Sequence, residues 1–385
     1  MISSPRKRIF DSRGGHGTVG LIINPIAGLG GSVGLKGTDH VAQEALRRGA
    51  VPHAGERTCQ ALQALAQTAV PFQVVTWPGA MGGDAAQSLG LPCRLLPGVP
   101  QGESTRGEDT QALAKALAEE GADLILFAGG DGTARDVYNA LGLGTPVLGI
   151  PAGVKIHSPV FGRSPRDAGR LAALWLEQET GRTREEEVLD IDEELYRQGR
   201  INTRLYGYLT IPAQPGLTQS RKAPTPLSDT QAIRAIAFQV TDHMEPGVNY
   251  LIGAGTTTRG VMEVLGLPNT LIGVDLVRDG KLIASDLSGL DIPALLEGRP
   301  TKLVVTVTGG QGCLFGRGNQ QLTPQVLRQV GKENIILLAT PAKLAQLRGE
   351  PLWVDTIDPE LNENLCGYYR VISGYGEFTL CRVVC

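Results

Sequence analysis

The chain has 385 residues, 42% of them hydrophobic and 19% charged, with 36 Lys and Arg against 39 Asp and Glu for a net charge of −3. This length predicts two domains in a globular protein. The mild acidity argues against a nucleic-acid binder, which normally carries a basic face, and no apolar stretch reaches the length needed to cross a bilayer. Six cysteines without a CxxC pair read as reduced thiols of a cytoplasmic protein, and five scattered histidines show no spacing suited to zinc.

The first twenty residues carry Arg6, Lys7, Arg8 and Arg13 without an apolar centre, which predicts a frayed end rather than a secretory signal. Residues 18–23 form an apolar strand that runs into Asn24, Pro25 and a bend through Gly28, Gly30 and Gly31. A strand ending in such a bend is the first loop of an open α/β sheet, where ligands bind at the C-terminal strand edge. Val33 stands where a dinucleotide fingerprint needs its third glycine, and no Gly-Lys-Ser/Thr follows, so the loop is of neither the Rossmann nor the Walker type. A helix over 58–68, a strand over 72–76, a glycine-bearing loop over 78–84 and a helix over 108–120 come next, with Glu108 and Asp109 suiting the last helix start.

Residues 123–128 are a short apolar run of the kind that makes a fully buried strand, and 134–140 carry apolar residues at helical spacing. Between them lie Gly129, Gly130, Asp131, Gly132 and Thr133. Glycines let backbone N–H groups approach an anion, the following helix N-terminus adds a favourable dipole, and the Thr133 hydroxyl suits a phosphate oxygen. A carboxylate in that loop repels phosphate, so Asp131 points to chemistry: a base for a hydroxyl, or a group reaching Mg²⁺ directly or through water. Asp136 either orients the site or caps its helix. The competing reading is an ordinary strand-to-helix turn capped by Asp131. A strand over 146–150 then enters a loop with Gly153, Lys155 and His157. Lys155 offers phosphate a point charge. His157 either meets a ribose or phosphate or is a structural histidine. Repeated β-loop-α units of this length predict a mostly parallel sheet with right-handed crossovers.

Farther on, a helix covers 168–178, the charged run 182–187 reads as a solvated connection, and 187–192 and 205–211 read as antiparallel strands. The polar, proline-bearing stretch 214–229 is a candidate lid. A strand over 249–253 leads to Gly255, Thr256, Thr257, Thr258 and Arg259, which is either an anion site or a capped helix start. A strand over 270–274 ends at Asp275, and a strand over 302–307 enters a second glycine-rich segment in which Arg317 is a candidate phosphate clamp. Strands over 334–338 and 352–354 and a hairpin over 368–384, turning at 374–376, complete the chain.

The string from Gly129 to Thr133 resembles the signature shared by NAD kinases, diacylglycerol and sphingosine kinases and, more distantly, phosphofructokinases. Together with Asn24-Pro25, Gly82-Gly83-Asp84 and the Pro151–Lys155 loop, it makes the chain resemble, over nearly its whole length, the predicted ATP-NAD kinase family that includes the acetoin-catabolism protein X. The resemblance implies an α/β fold: a NAD kinase-like open parallel sheet over residues 1–165, then a second domain of antiparallel strands and further β/α units over 166–385, its C-terminal hairpin placed to pack back on the first. It implies phosphoryl transfer from Mg²⁺-ATP, or from polyphosphate, to a hydroxyl, foremost the 2′-hydroxyl of NAD. Asp131 is then the base, and Asn24, Gly28, Gly129, Gly130, Gly132, Thr133, Asp136, Gly153 and Lys155 the nucleotide or phosphate contacts, to which the glycine loops of the second half, read from their own residues, add Thr256, Thr257, Arg259 and Arg317. The implied partners are nucleotide substrates and further copies of the chain in a homo-oligomer, with neither nucleic acid nor membrane. One feature departs from the family: the Asn-Glu or Asn-Asp pair that reads adenosine has no counterpart, since Asn362-Glu363-Asn364 lies near the C-terminus in a helical context. Phosphorylation of a lipid or diol, and nucleotide binding without turnover, therefore stand as rivals.

Overall fold

The computed structural model describes residues 17–35, 42–98, 100, 105–153, 156–178, 182–191, 203–213, 217–218, 229–308 and 310–385. Lys155 and nearly all of the expected lid over 214–229 lie outside the described residues. The chain forms two compact units, one made of Met1–Leu29, Val51–Tyr196 and Ile201–Ser220, the other of Gly30–Ala50, Arg197–Arg200 and Arg221–Cys385.

The first unit is built on strands β1 (Gly17–Ile23), β2 (Phe72–Thr76), β3 (Cys93–Leu95), β4 (Leu124–Gly129) and β5 (Val147–Pro151), in the order β3-β2-β1-β4-β5. Every neighbouring pair is parallel. Helix α1 (Ala42–Arg47) falls in the second unit, while α2 (Ala54–Ala66), α3 (Gly83–Ser88), α4 (Gly107–Glu119), α5 (Asp131–Leu141) and α6 (Pro165–Glu177) belong to the first. Alternation along the strands assigns the faces. Val19, Leu21 and Ile23 of β1 and Leu124, Leu126 and Ala128 of β4 pack with Ala61, Leu62 and Leu65 of α2 and Leu171 and Trp175 of α6. Ile22, Ile125 and Phe127 face the other way, onto Leu113 and Leu117 of α4 and Val137 of α5. With both faces covered, these strands read as the continuous apolar runs seen in the sequence.

Local signals set the helix starts. The Asp109 carboxylate accepts the Arg106 N–H at 2.8 Å ahead of α4, and Ser164 Oγ accepts the Asp167 N–H at 3.1 Å with Pro165 in the first turn of α6. The segment over 182–187 is not a solvated connection. It opens strand β6 (Thr183–Ile191), which pairs antiparallel with β7 (Thr203–Pro212). Val188, Leu209 and Ile211 are buried in the same core as α4 and α5, and Arg135 of α5 binds Asp190 at 2.7 Å, so the charged residues flank a buried stripe. Burial works against the Arg135 charge, and Asp190, Tyr206 and Asp136 more than offset it, leaving its pKa raised.

The second unit carries β8 (Asn249–Ile252), β9 (Asp275–Arg278), β10 (Lys281–Ala284), β11 (Thr301–Thr306), β12 (Cys313–Phe315), β13 (Ile335–Leu338), β14 (Leu352–Val354), β15 (Gly367–Gly374) and β16 (Glu377–Val384). They form one mixed sheet in the order β10-β9-β8-β11-β13-β15-β16-β14-β12, in which β8, β11, β13 and β15 are mutually parallel. Its helices are α7 (Thr230–Thr241), α8 (Thr256–Leu265), α9 (Ile292–Leu295), α10 (Pro324–Val330), α11 (Pro341–Gln346) and α12 (Pro359–Leu365). The C-terminal hairpin β15–β16 lies inside this sheet. The strand expected over 270–274 is instead a turn: Asp275, buried at the start of β9, accepts the Thr270 N–H at 2.8 Å and the Asp286 N–H at 2.9 Å, which bends the chain there.

Phe127 is fully buried and meets Phe161 edge-on, ring centroids 5.2 Å apart. Phe127→Ala leaves a cavity against a rigid sheet and is expected to destabilise the fold by about 3–5 kcal/mol, read as a lowered midpoint in chemical denaturation.

Candidate functional site

The chain lays β1, β2 and β3 toward one edge of the first sheet and then places β4 and β5 on the other side of β1. The loop leaving β1 leads to α2 on one face and the loop leaving β4 to α5 on the other, so their C-terminal ends mark the switch point, the ligand position of open α/β sheets. Asn24 leaves β1 and Gly129 ends β4, so the two motifs singled out in the sequence meet at this switch point. The Asn24 N–H donates to the Ala128 carbonyl at 3.0 Å, and Asn24 Nδ2 donates to Thr133 Oγ1 at 3.0 Å. Thr133 keeps its own hydroxyl proton for a further acceptor.

Gly129 closes β4, Gly130 is extended at the helix N-cap, and Asp131, Gly132 and Thr133 form the first turn of α5. The first N–H groups of a helix have no partner within it, so this turn offers donors to an anion. A Cβ on Gly129 would lie 2.3 Å from Thr133 Oγ1, whereas one on Gly132 would meet nothing within 4 Å. Gly129 is thus demanded by packing, and Gly132 stands beside open space. Gly28 adopts φ +77° and comes so close to the β5 loop that a Cβ would lie 2.2 Å from the Ala152 carbonyl oxygen. The N–H groups of Ala152 and Gly153 both donate to the Gly129 carbonyl at 2.9 Å, which fastens the β5 loop to the motif.

Asp131 is 5% exposed, and both of its oxygens are engaged. Oδ2 accepts the His157 N–H at 2.8 Å and lies 3.1 Å from His157 Nδ1. Oδ1 accepts the Ser158 N–H at 3.0 Å and the Ser158 hydroxyl at 2.7 Å. Ser158 Oγ also accepts the Leu189 N–H at 3.0 Å, which ties the pair to β6. The carboxylate therefore does not face a phosphate bare: the N–H groups of residues 157 and 158 donate to it, beside the His157 ring nitrogen and the Ser158 hydroxyl, which also lies 2.9 Å from the Leu189 carbonyl oxygen. His157 is 6% exposed, and among the described residues its Nε2 has no hydrogen-bond partner. Arg57 of α2 is also buried and donates to the Pro151 carbonyl at 2.6 Å, bracing the end of β5.

Not every residue singled out in the sequence gathers here. Asp136 lies farther along α5 and faces α4, accepting from Gln111 Nε2 at 3.5 Å. In the second unit, Gly255 caps α8, Thr256 begins it, and the buried Thr257 accepts from Lys343 Nζ at 2.9 Å, with Thr306 Oγ1 3.2 Å from the same nitrogen. Arg259 pairs with Glu263 at 2.7 Å on the exposed side of α8. Arg317 is buried, stacked 4.8 Å over Trp353 and 3.8 Å from the Asp355 carboxylate. Asn362 Oδ1 accepts the N–H and hydroxyl of Thr356 at 2.9 and 2.6 Å, so that string serves a turn. Sequence reasoning missed the dual contact of Ser158 and the buried cations Arg57 and Lys343. A serine directly after a loop histidine carried no mark of its own, and the two cations sit in helices whose apolar faces hid them.

The contrast between two glycines of the motif is testable. Gly129→Ala is expected to lower Tm by several degrees, because its Cβ collides with Thr133. Gly132→Ala is expected to leave Tm unchanged or raise it, since alanine in a helix gains up to ~1 kcal/mol over glycine. Thermal melts of both variants read this directly.

Comparison with known proteins places this architecture. The ATP-NAD kinase N-terminal domain model matches residues 19–180, and the ATP-NAD kinase C-terminal domain model matches residues 247–383. No curated protein sequence matches the chain. Among solved structures, a diacylglycerol kinase from Bacillus anthracis str. Sterne shares 20% identity over 46% of this chain and 46% of that one, with a TM-score of 0.24. The UDP-GlcNAc 2-epimerase of Methanocaldococcus jannaschii shares 11% identity over 92% of this chain and 89% of that one, also at a TM-score of 0.24. The chain spans less than half the length of the diacylglycerol kinases it matches, and likenesses this remote carry no argument about substrate. The two domain models together cover most of the sequence in the order in which the two units are built, and the chain belongs to the ATP-NAD kinase family.

Proposed function

We propose that this protein is an ATP-dependent kinase that phosphorylates a hydroxyl of a small molecule, with the 2′-hydroxyl of the NAD adenosine ribose as the foremost acceptor. The observation that carries the reading is the buried Asp131 with its paired imidazole at the β1/β4 switch point of an ATP-NAD kinase family chain. In this reading the triphosphate lies along the loops of Asn24, Gly28 and Gly153 and the first turn of α5, where backbone N–H groups and the Thr133 hydroxyl meet its oxygens. Lys155 neutralises phosphate charge, and the Asp131–His157 pair receives the acceptor's proton.

The donor set bears on Mg²⁺. Among the described residues no group of three or more His, Cys, Asp or Glu side chains is gathered to hold a metal, and both Asp131 oxygens are already occupied. These residues suit a Mg²⁺ that arrives on the nucleotide phosphates rather than one bound to Asp131. Such an ion neutralises charge on the transferring phosphoryl group.

A second reading, nucleotide binding without turnover, draws on that same saturation of Asp131, which a purely structural carboxylate would also show. Turnover separates the two. Purified protein with Mg²⁺, ATP and NAD is expected to yield NADP and ADP, and Asp131→Asn is expected to lower the rate by at least ~10³-fold and to lower Tm as well, since one side of the amide would face N–H donors; the rate is compared at a temperature where both proteins are folded. A panel with a diol and a lipid headgroup in place of NAD assigns the acceptor. Nucleotide-induced thermal stabilisation without ADP formation from any acceptor supports the binding protein instead.

A further inference from the structure

We infer that the second unit carries an anion site of its own, at the C-terminal ends of β8 and β11, where Lys343, Thr257 and Thr306 hold the phosphoryl group of a small phosphate compound. All of these residues belong to the second unit, so the inference stands apart from Asp131 and from the kinase reading.

The topology puts a ligand position there. Strands β8 and β11 are parallel neighbours. Helix α8, which follows β8, packs Val261 and Met262 on one face of the sheet, and α10, the next helix after β11, packs Val326 and Leu327 on the other. Neighbouring strand ends from which the chain leaves to opposite faces are the switch point of such a sheet. The loop after β8 passes close to the end of β11: Gly255 adopts φ +138°, and a Cβ there would lie 2.5 Å from Thr306 Cγ2. Gly255 then caps the 10-residue α8, whose first N–H groups have no partner within the helix.

The side chains show what this edge lacks. Lys343 of α11 is 6% exposed, and its Nζ donates to Thr257 Oγ1 at 2.9 Å and lies 3.2 Å from Thr306 Oγ1. An ammonium only donates, so both hydroxyls accept from it and keep their own protons. Thr258 spends its proton on the Gly255 carbonyl at 2.9 Å. The protons of Thr257, fully buried, and Thr306, 9% exposed, meet no acceptor among the described residues. A buried donor without an acceptor is costly, and here two of them stand beside a cation and a helix N-terminus. Such a set calls for an anion with several oxygens. Its donors come from three segments, α8, β11 and α11, which suits the three terminal oxygens of a phosphoryl group better than the two of a carboxylate. The edge is reachable, since Ala254, Gly255, Thr256 and Thr308 around it are partly exposed. Arg259, paired with Glu263 on the exposed side of α8, takes no part.

Calorimetric titration of the full chain with inorganic phosphate and with ribose 5-phosphate tests the site. Lys343→Met is expected to weaken binding by at least ~10-fold, and Thr257→Val by roughly threefold or more. Thr133→Val, which removes a donor of the first unit, is expected to leave the Kd within about twofold. Ribose 5-phosphate binding more tightly than phosphate identifies an ester as the ligand, and equal affinities identify free phosphate. Unchanged affinity in Lys343→Met, binding abolished by Thr133→Val, or a wild type that binds neither probe overturns the inference. Should Lys343→Met fail to fold, Thr257→Val decides, and wild-type affinity in that variant overturns it equally.

Discussion

A carboxylate at 5% exposure persists in a protein interior only if donors surround it. Asp131 obtains them from His157 and Ser158, and that requirement organises the end of the first sheet. It draws the loop after β5 against the first turn of α5. Ser158 carries the tie on to Leu189 of β6, and the Gly129 carbonyl fastens the same loop through Ala152 and Gly153. From the other side Asn24 reaches over from β1 to Thr133. Three loops from three neighbouring strands thus become one hydrogen-bonded body.

That arrangement changes the chemical meaning of the motif. Read as a string, an aspartate among glycines is the obvious reactive group. Placed in the fold, both of its oxygens accept from the N–H groups of residues 157 and 158. A charge that would repel phosphate is satisfied by donors from within the unit, so the helix N-terminus beside it remains suited to an anion.

The second unit shows how far a loop's use depends on what the fold sets against it. The threonines that open α8 look like a phosphate cradle in sequence, and in the fold Thr257 and Thr306 share the ammonium of Lys343. Arg317, among glycines, stacks on Trp353 near Asp355. Asp275, at a strand edge suited to ligand binding, shapes a turn. Membership of the ATP-NAD kinase family rests on both units, and the acceptor is a matter for assay.

Much of the first unit was legible because its physics is local. Strands buried on both faces must be apolar runs, glycines must stand where backbones crowd, and β-loop-α punctuation predicts a parallel sheet. The sequence by itself therefore determined the class of fold, the place of Gly129–Thr133 at a strand's end, and the family resemblance that the domain models bear out. Only the tertiary structure decided which groups meet. Residues 131 and 157 are 26 positions apart, and Asn24 and Thr133 are 109 apart. No periodicity or propensity encodes such pairings, because they follow from strand order and crossover. The same holds for residues 182–187, whose charges suggested a solvated link and which instead open strand β6 ahead of the buried Val188. Composition and spacing govern which elements form; the order in which strands lie side by side governs which side chains meet.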